Sequence, residues 1–343
     1  MNRLRACIIG CGNIFTMHAT PLLSFDDVEI VGVCDIKADR AEAAAKRCNT
    51  TAYTDYRQMI HETHPDVVHV CLPHYLHPIV SKEMMEQGIH VLCEKPASIR
   101  LEDTIANIEL AKKKGVQYGI IFQCRYNTAS KLVKQYIEDG TLGKVISARS
   151  VLTWCKPDTY YSQSDWKGTW DKEGGGVVID QAIHSMDLVN WFIGANPISV
   201  YAHLDNRGHD IMEVDDSAEG YIKYDNGATY GFWAMNNYGC DEPIEIRLLF
   251  ENGKAVLSYD EAIITLNDGT VIRRDQSTVD MMEYENSKKY WGSQHVTQIR
   301  QFYNSVLGKE TLEISGEEAL KIQKIVCAVY ESSQQGKPVL FEQ

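Results

Sequence analysis

Short apolar runs rich in β-branched residues recur through the first third of the chain, at residues 6–9, 30–34, 67–72 and 90–93. Each is bounded by turn residues. The stretches between them, 38–47, 78–86 and 101–114, carry the spacing of amphipathic helices. Runs apolar on both faces, such as Val67-Val68-His69-Val70-Cys71-Leu72, suit strands buried on both sides, so the alternation predicts a doubly wound parallel sheet. Beyond residue 123 the pattern changes. A helix is expected over 127–138, a long strand over 144–154, a polar and glycine-rich loop over 155–176, and a helix over 177–192 that stops at Gly194. Alternating segments follow at 198–204, 217–224, 228–235, 244–250 and 254–259, with Asp225-Asn226-Gly227 and Glu251-Asn252-Gly253 as hairpin turns. Two helices close the chain near 293–306 and 316–334, the second capped by Ser315. The expected fold is α/β: an N-terminal doubly wound parallel sheet, then an α+β domain on an open, mostly antiparallel sheet. The boundaries are 1–123 and 124–343.

Composition agrees with a two-domain globular protein and removes several classes. Of 343 residues, 44% are apolar and 24% charged, and no run approaches the ~18 consecutive apolar residues of a membrane helix. The net charge is −13, with only −2 carried by residues 1–123. Nucleic acid and anionic membrane surfaces would be repelled, and the near-neutral front part is the better host for an anionic cofactor. Ten cysteines with no C-x-x-C spacing read as small buried side chains in a reducing compartment. The glycine turn comes too soon after the first apolar run for an export signal, so the cytoplasm is expected.

Directly after the first strand stands Gly10-Cys11-Gly12-Asn13-Ile14-Phe15. The first glycine permits a tight turn, and the second lets the backbone approach a pyrophosphate at a helix N-terminus. Phe15 replaces the usual small residue, so the helix is expected to splay slightly or to turn Phe15 outward. Asp35, which ends the second strand, stands 23 residues after Gly12 and suits the ribose hydroxyls of NAD. Its charge would repel the 2′-phosphate of NADP, an objection that Lys37 and Arg40 soften. The cofactor set is therefore Gly10, Gly12, Asn13, Ile14 and Asp35. Pro73 and His74 join it after the third apolar run, with Glu94 and Lys95 at the sheet edge where ligands bind in such folds. His18 is assigned to the scaffold. His74-x-x-His77 resembles a ligand pair, but no cysteine spacing completes a zinc site.

Two further segments carry chemistry: Glu94-Lys95-Pro96 at a strand end, and Gly174-Gly175-Gly176 leading through Asp180 and His184 to Asp187. With the glycine turn, this combination resembles the glucose–fructose oxidoreductase / inositol dehydrogenase (Gfo/Idh/MocA) family over essentially the whole chain. The resemblance implies a Rossmann domain, an open-sheet second domain, NAD(P), and oxidation or reduction of a sugar or polyol hydroxyl, with Lys95, Asp180 and His184 as the catalytic group. The residues support that independently. Alcohol oxidation needs a hydride acceptor and a base. Asp180 and His184 share a helix face, where a carboxylate can orient an imidazole. Asp187 lies near the same face, and a metal held by the three is conceivable. No metal is assigned, because a hydride enzyme with a lysine needs none.

Residues 154–170 contain Trp154, Tyr160, Tyr161, Trp166 and Trp170. Flat aromatic faces suit the C–H patches of sugar rings. Arg125, Trp154, Lys156, Tyr160, Trp166 and His184 form the expected substrate set, with Asp158, Asp165 and Lys167 as further hydrogen-bonding candidates. The expectation is an NAD(H)-dependent oxidoreductase of a sugar, polyol or sugar derivative. An NAD-dependent glycosidase with transient oxidation and a non-enzymatic dinucleotide sensor are the rivals. An open sheet with too few helices to cover both faces also predicts a homodimer or homotetramer joined through 198–260.

Overall fold

The computed structural model describes residues 3–258, 261–274 and 294–341. Six parallel strands form the first sheet: β1 (Leu4–Ile9), β2 (Val28–Cys34), β3 (Ala52–Tyr53), β4 (Val67–Val70), β5 (His90–Cys93) and β6 (Tyr118–Ile120). Their order is β3-β2-β1-β4-β5-β6. All four residues of β4 are buried, as an apolar run covered on both faces must be. Helices α1 (Phe15–Ser24), α2 (Ala38–Cys48), α3 (Tyr56–Thr63), α4 (His77–Glu86) and α5 (Leu101–Lys114) connect the strands. Strand order reverses between β1 and β4, and ligands bind beyond the carboxyl ends of strands at such a switch point.

The chain divides into two compact units. The first takes everything up to Gln123 and also residues 294–320. The boundary expected at residue 124 puts that late segment in the second domain. It joins the first because the helix His295–Val306 buries Ile299, Phe302 and Tyr303 in one core with Phe15, Ala19 and Leu22 of α1. About 25 cal/mol per Å² of apolar burial outweighs position in the chain.

The second unit, from Cys124, is built on nine strands: β7 (Val145–Thr153), β8 (Pro197–Asp205), β9 (Ser217–Tyr224), β10 (Thr229–Met235), β11 (Glu245–Phe250), β12 (Gly253–Ser258), β13 (Glu261–Leu266), β14 (Val271–Arg274) and β15 (Val339–Leu340). The order is β14-β13-β12-β11-β7-β10-β9-β8-β15, antiparallel except for β7 beside β10. Strict alternation marks one face as core. Ile222 and Tyr224 of β9, Tyr230 and Phe232 of β10, and Ile246 and Leu248 of β11 are buried. That face carries α6 (Thr128–Glu138), which packs on β12–β14; α7 (Asp158–Ser162) lies in the loop after β7, and α8 (Ile183–Ile193) packs on β7. The opposite face leaves Tyr201, Tyr221, Trp233, Leu249 and Ile146 each more than a third exposed. Among the described residues, no helix is long and apolar enough to cross a membrane.

Candidate active site

At the end of β1, Gly10 adopts φ +101°, and a Cβ there would lie 2.1 Å from the Cys71 carbonyl oxygen beyond β4. Only glycine lets the two strand ends run this close. A Cβ on Gly12 would meet nothing within 4 Å. Helix α1 has no side-chain cap and no acidic residue in its first turn, so its N-terminal N–H groups suit an anion. Asp35 accepts one backbone N–H on each carboxylate oxygen, from Cys11 at 2.9 Å and from Lys37 at 2.9 Å. The carboxylate is thereby fixed beside the glycine turn with lone pairs to spare for two ribose hydroxyls. These residues fit a dinucleotide. Asn13 is exposed and Ile14 half-buried in the same turn. Phe15 does not turn outward: it is 4% exposed and packs in the core with Ala19 and Leu22, because the helix begins at this residue and faces it inward.

Beyond β4, Pro73 is half-buried and His74 buried. His77 is no ligand pair with His74, since its ring nitrogens lie 2.7 Å from the carbonyl oxygens of Leu72 and Pro96. It ties the turn after β4 to the turn after β5. In that second turn the Lys95–Pro96 bond is cis, and Lys95 is half-buried. Glu94, expected in the cofactor set, is 6% exposed and turned into the interior. Its Oε1 accepts from His18 Nε2 at 3.0 Å and lies 3.5 Å from His295 Nε2, and its Oε2 accepts the Lys95 N–H at 3.2 Å. Behind it, His18 Nδ1 meets His69 Nδ1 at 2.7 Å, and His69 Nε2 meets the Tyr303 hydroxyl at 3.0 Å. Burial pushes the Glu94 carboxyl up, but the hydrogen bonds from His18 and His295 outweigh it and hold it well below the usual carboxylate range. Burial pushes His18 and His69 down.

In the second unit two of the three consecutive glycines are required by their neighbours. A Cβ on Gly175 would lie 2.0 Å from the Tyr330 hydroxyl, and one on Gly176 would lie 1.9 Å from the Asp215 carbonyl oxygen. The Asp215 carboxylate accepts the N–H groups of Gly176 at 2.7 Å and Val178 at 3.0 Å, and the Tyr330 hydroxyl at 3.0 Å. Burial raises its carboxyl to about 6. Asp215 thus caps the segment that follows, a π-helical turn over Val178–Ala182 that runs into α8. Such turns are rare and cluster at functional sites.

Asp180 sits in that turn. Its Oδ2 accepts Tyr160 Oη at 3.0 Å, Lys167 Nζ at 3.2 Å and Gln181 Nε2 at 2.6 Å. Three donors converge on this one oxygen. Lys167 also stands 3.6 Å from the buried Glu173, and its Nζ lies 4.4 Å from the ring centres of both Tyr160 and Trp166. Lys156 Nζ lies over Tyr160 and Trp154 at 4.9 and 5.4 Å. The structure therefore brings Lys156, Tyr160, Trp166 and Asp180 together, with His184 half-buried in the first turn of α8. Trp154 is a packing residue: it is buried, and its indole N–H donates to the Glu242 carbonyl at 3.2 Å. Arg125 differs from its expected substrate role. Its guanidinium is buried and bidentate on Asp187, at 2.7 and 2.6 Å, so the two charges neutralise each other within the core. That pair also removes Asp187 from the conceivable metal set. Sequence reading missed Gln181, Glu173 and Asn236, whose Nδ2 donates to Tyr161 Oη and Gln181 Oε1 at 2.9 Å each. Only the adjacency of Gln181 to Asp180 could have signalled any of them.

Comparison with known proteins closes the question of lineage. Residues 4–122 match the profile of the oxidoreductase family's NAD-binding Rossmann fold, and residues 134–341 match that of its C-terminal alpha/beta domain. The D-glucoside 3-dehydrogenase of Escherichia coli is 27% identical, over 98% of this chain and 97% of the relative. The myo-inositol 2-dehydrogenase of Thermotoga maritima is 25% identical, over 99% of each. The WlbA dehydrogenase of Chromobacterium violaceum, solved with NADH and UDP-GlcNAcA, superposes with a TM-score of 0.88 at 27% identity, covering 100% of this chain and 97% of that one. The two family profiles, together with the glycine turn, the Glu94-Lys95-Pro96 turn and the Asp215-capped helix, make this chain a member of the Gfo/Idh/MocA oxidoreductase family.

Proposed function

We propose that the protein transfers a hydride between NAD(H) and a hydroxyl-bearing carbon of a sugar, polyol or sugar derivative. The observation that carries this is the Asp180 hub, whose carboxylate gathers Tyr160, Lys167 and Gln181 with aromatic faces beside them. Polar hydrogen-bonding groups next to flat rings are what a polyhydroxylated ring needs. The relatives named above act on glucosides and inositol, which supports the same class. Asp35 favours NAD, because a carboxylate there repels a 2′-phosphate. Bound through Gly10, Gly12, Asn13, Ile14, Asp35, Pro73, His74 and Lys95, the nicotinamide supplies the hydride acceptor or donor. Lys95 and His184 handle the hydroxyl proton, and Asp180 holds the π-helical turn and the imidazole it introduces. Lys156, Tyr160 and Trp166 bind the substrate. A screen for NADH formation over polyols, aldoses, sugar acids and nucleotide sugars tests this. Turnover of at least one class is expected; cleavage of a glycoside with no net NADH would overturn it.

We further propose a homodimer or homotetramer joined through the exposed face of the nine-stranded sheet, where Tyr201 pairs with Tyr221 across β8 and β9. A cytoplasmic location suits ten cysteines that are all free.

A further inference from the structure

Behind the Lys95 turn, four ionisable side chains and a tyrosine form one continuous hydrogen-bonded chain inside the first unit. His18, His69 and Tyr303 are fully buried, His295 is 3% exposed and Glu94 6%. Nothing in the proposed chemistry uses them. We infer that His18 and His295 are positioning residues for Lys95, acting through Glu94.

One carboxylate does both jobs. Glu94 Oε1 takes His18 and faces His295, while Oε2 takes the backbone N–H of Lys95 itself. A carboxylate this deeply buried stays in place only while its donors remain. One polarity satisfies every group behind it. The Tyr303 hydroxyl donates to His69 Nε2, His69 Nδ1 donates to His18 Nδ1, and His18 Nε2 donates to Glu94. His18 is therefore held in a single tautomer, with its proton directed at Glu94. Edge-on ring contacts of His18 with His69 and His295, centroids 5.0 and 5.9 Å apart, fix the ring planes. His18 lies on α1, which opens at the cofactor turn, and His295 begins the helix His295–Val306. The Lys95 turn is thus tied from two elements through one side chain. Without these donors Glu94 would rotate or take up a proton, releasing the Lys95 N–H. The ammonium would then sample positions away from its working one, and a misplacement of about 1 Å costs on the order of 10²-fold in rate.

This inference rests on the reading of Lys95 as a proton-handling group, so the experiment has two readouts. Substrate turnover and NAD affinity are measured for His18→Leu, His18→Gln and His295→Leu. In parallel, the acylation rate of Lys95 by an amine-selective reagent is followed by peptide mass spectrometry, with the exposed Lys46 as internal control. His18→Leu should lower kcat by about 10–100-fold while KM and the NAD dissociation constant move less than about threefold. Lys95 acylation should change at least about fivefold, with Lys46 constant. His18→Gln, whose amide N–H replaces Nε2–H, should restore both readouts to within about threefold. His295→Leu should move both in the same direction by less, and it serves as the deciding variant if His18→Leu does not fold. Wild-type kcat and Lys95 acylation in the folded variants would overturn the inference. So would a loss of NAD affinity matching the loss of kcat. Because His18, Glu94 and His295 place three ligand atoms within 4.8 Å of one another, stoichiometric zinc or iron in the purified protein, lost in His295→Leu, would also overturn it. Acylation needs no turnover. A protein inert towards every sugar whose Lys95 still responds to His18→Leu refutes the dehydrogenase reading and leaves the positioning role standing.

Discussion

Asp35 shows what one carboxylate decides. It is anchored by the N–H groups of Cys11 and Lys37, so its removal costs some turn geometry and, on the proposed role, a ribose contact as well. Asp35→Ala should weaken NAD binding by about 1.5–3 kcal/mol, the range for hydrogen bonds to a charged group. NADP should lose less, or gain. Titration of both cofactors into both proteins checks this, and tighter binding of NADP by the wild type would contradict the role of Asp35. Lys95→Ala and His184→Ala should each lower kcat by about 10²–10⁴-fold with little change in NAD affinity. The double variant should be far from additive if both serve one proton path. Steady-state kinetics on the true substrate is the test, and single variants within about threefold of wild type would remove these residues from the chemistry. At this scale motif spacing is what singles out Asp35, Lys95, Asp180 and His184 as candidates. Arg125 was misread because sequence shows a cation near an aromatic segment but not the Asp187 partner that takes it.

Element by element, Gly12 and Gly176 sit in their motifs for different reasons. Gly176 is pressed against the backbone of Asp215, whereas Gly12 faces open space. Gly176→Ala should therefore cost about 1–3 kcal/mol of stability, as overpacking does, and should also impair turnover by displacing the π-helical turn under Asp180. Gly12→Ala should leave the thermal midpoint close to wild type and weaken NAD binding. Calorimetry and cofactor titration on the pair separate the two; equal destabilisation would count against this distinction. The glycines stand out in the sequence, but Asp215 lies 39 residues from Gly176 and Tyr330 lies 151 from Ile179, whose N–H groups they hold. No local pattern announces a contact at that separation.

For the whole molecule, acid should act oppositely on the two units. In the first, His18 and His69 have lowered folded values, so their stabilisation is complete above about 6.5 and is lost as pH falls from there through the folded values. Glu94, also lowered, adds a loss as pH falls below about 4.3. In the second, Asp215 is raised to about 6, so its contribution weakens as pH rises from about 4 to 6. Between pH 7 and pH 5, hydrogen exchange should show the first unit losing protection relative to the second. Equal losses would contradict it. Assembly is the second expectation at this scale. Light scattering at micromolar concentration should give a dimer or tetramer mass for wild type, and Trp233→Asp on the exposed sheet face should shift it towards monomer. A monomeric wild type would exclude the proposed interface.

What the sequence determined by itself was whatever depends on local periodicity and on motif spacing. It yielded β1, β2, β4 and β5 of the parallel sheet, six of the nine strands of the second sheet, and the glycine turn after β1. Hydrophobic alternation and backbone-specific glycines are short-range signals, and a single chain displays them. Tertiary structure alone decided the rest, because it depended on which distant side chains meet. Ile299, Phe302 and Tyr303 drew residues 294–320 into the first unit, since their apolar face had a matching core there. Phe15 turned inward for the same reason. The π-helical turn, the Arg125–Asp187 pair and the buried chain from Tyr303 to Glu94 each join charges or hydroxyls from separate elements. A buried polar group must find its partner wherever the fold places one, and sequence distance carries no information about where that will be.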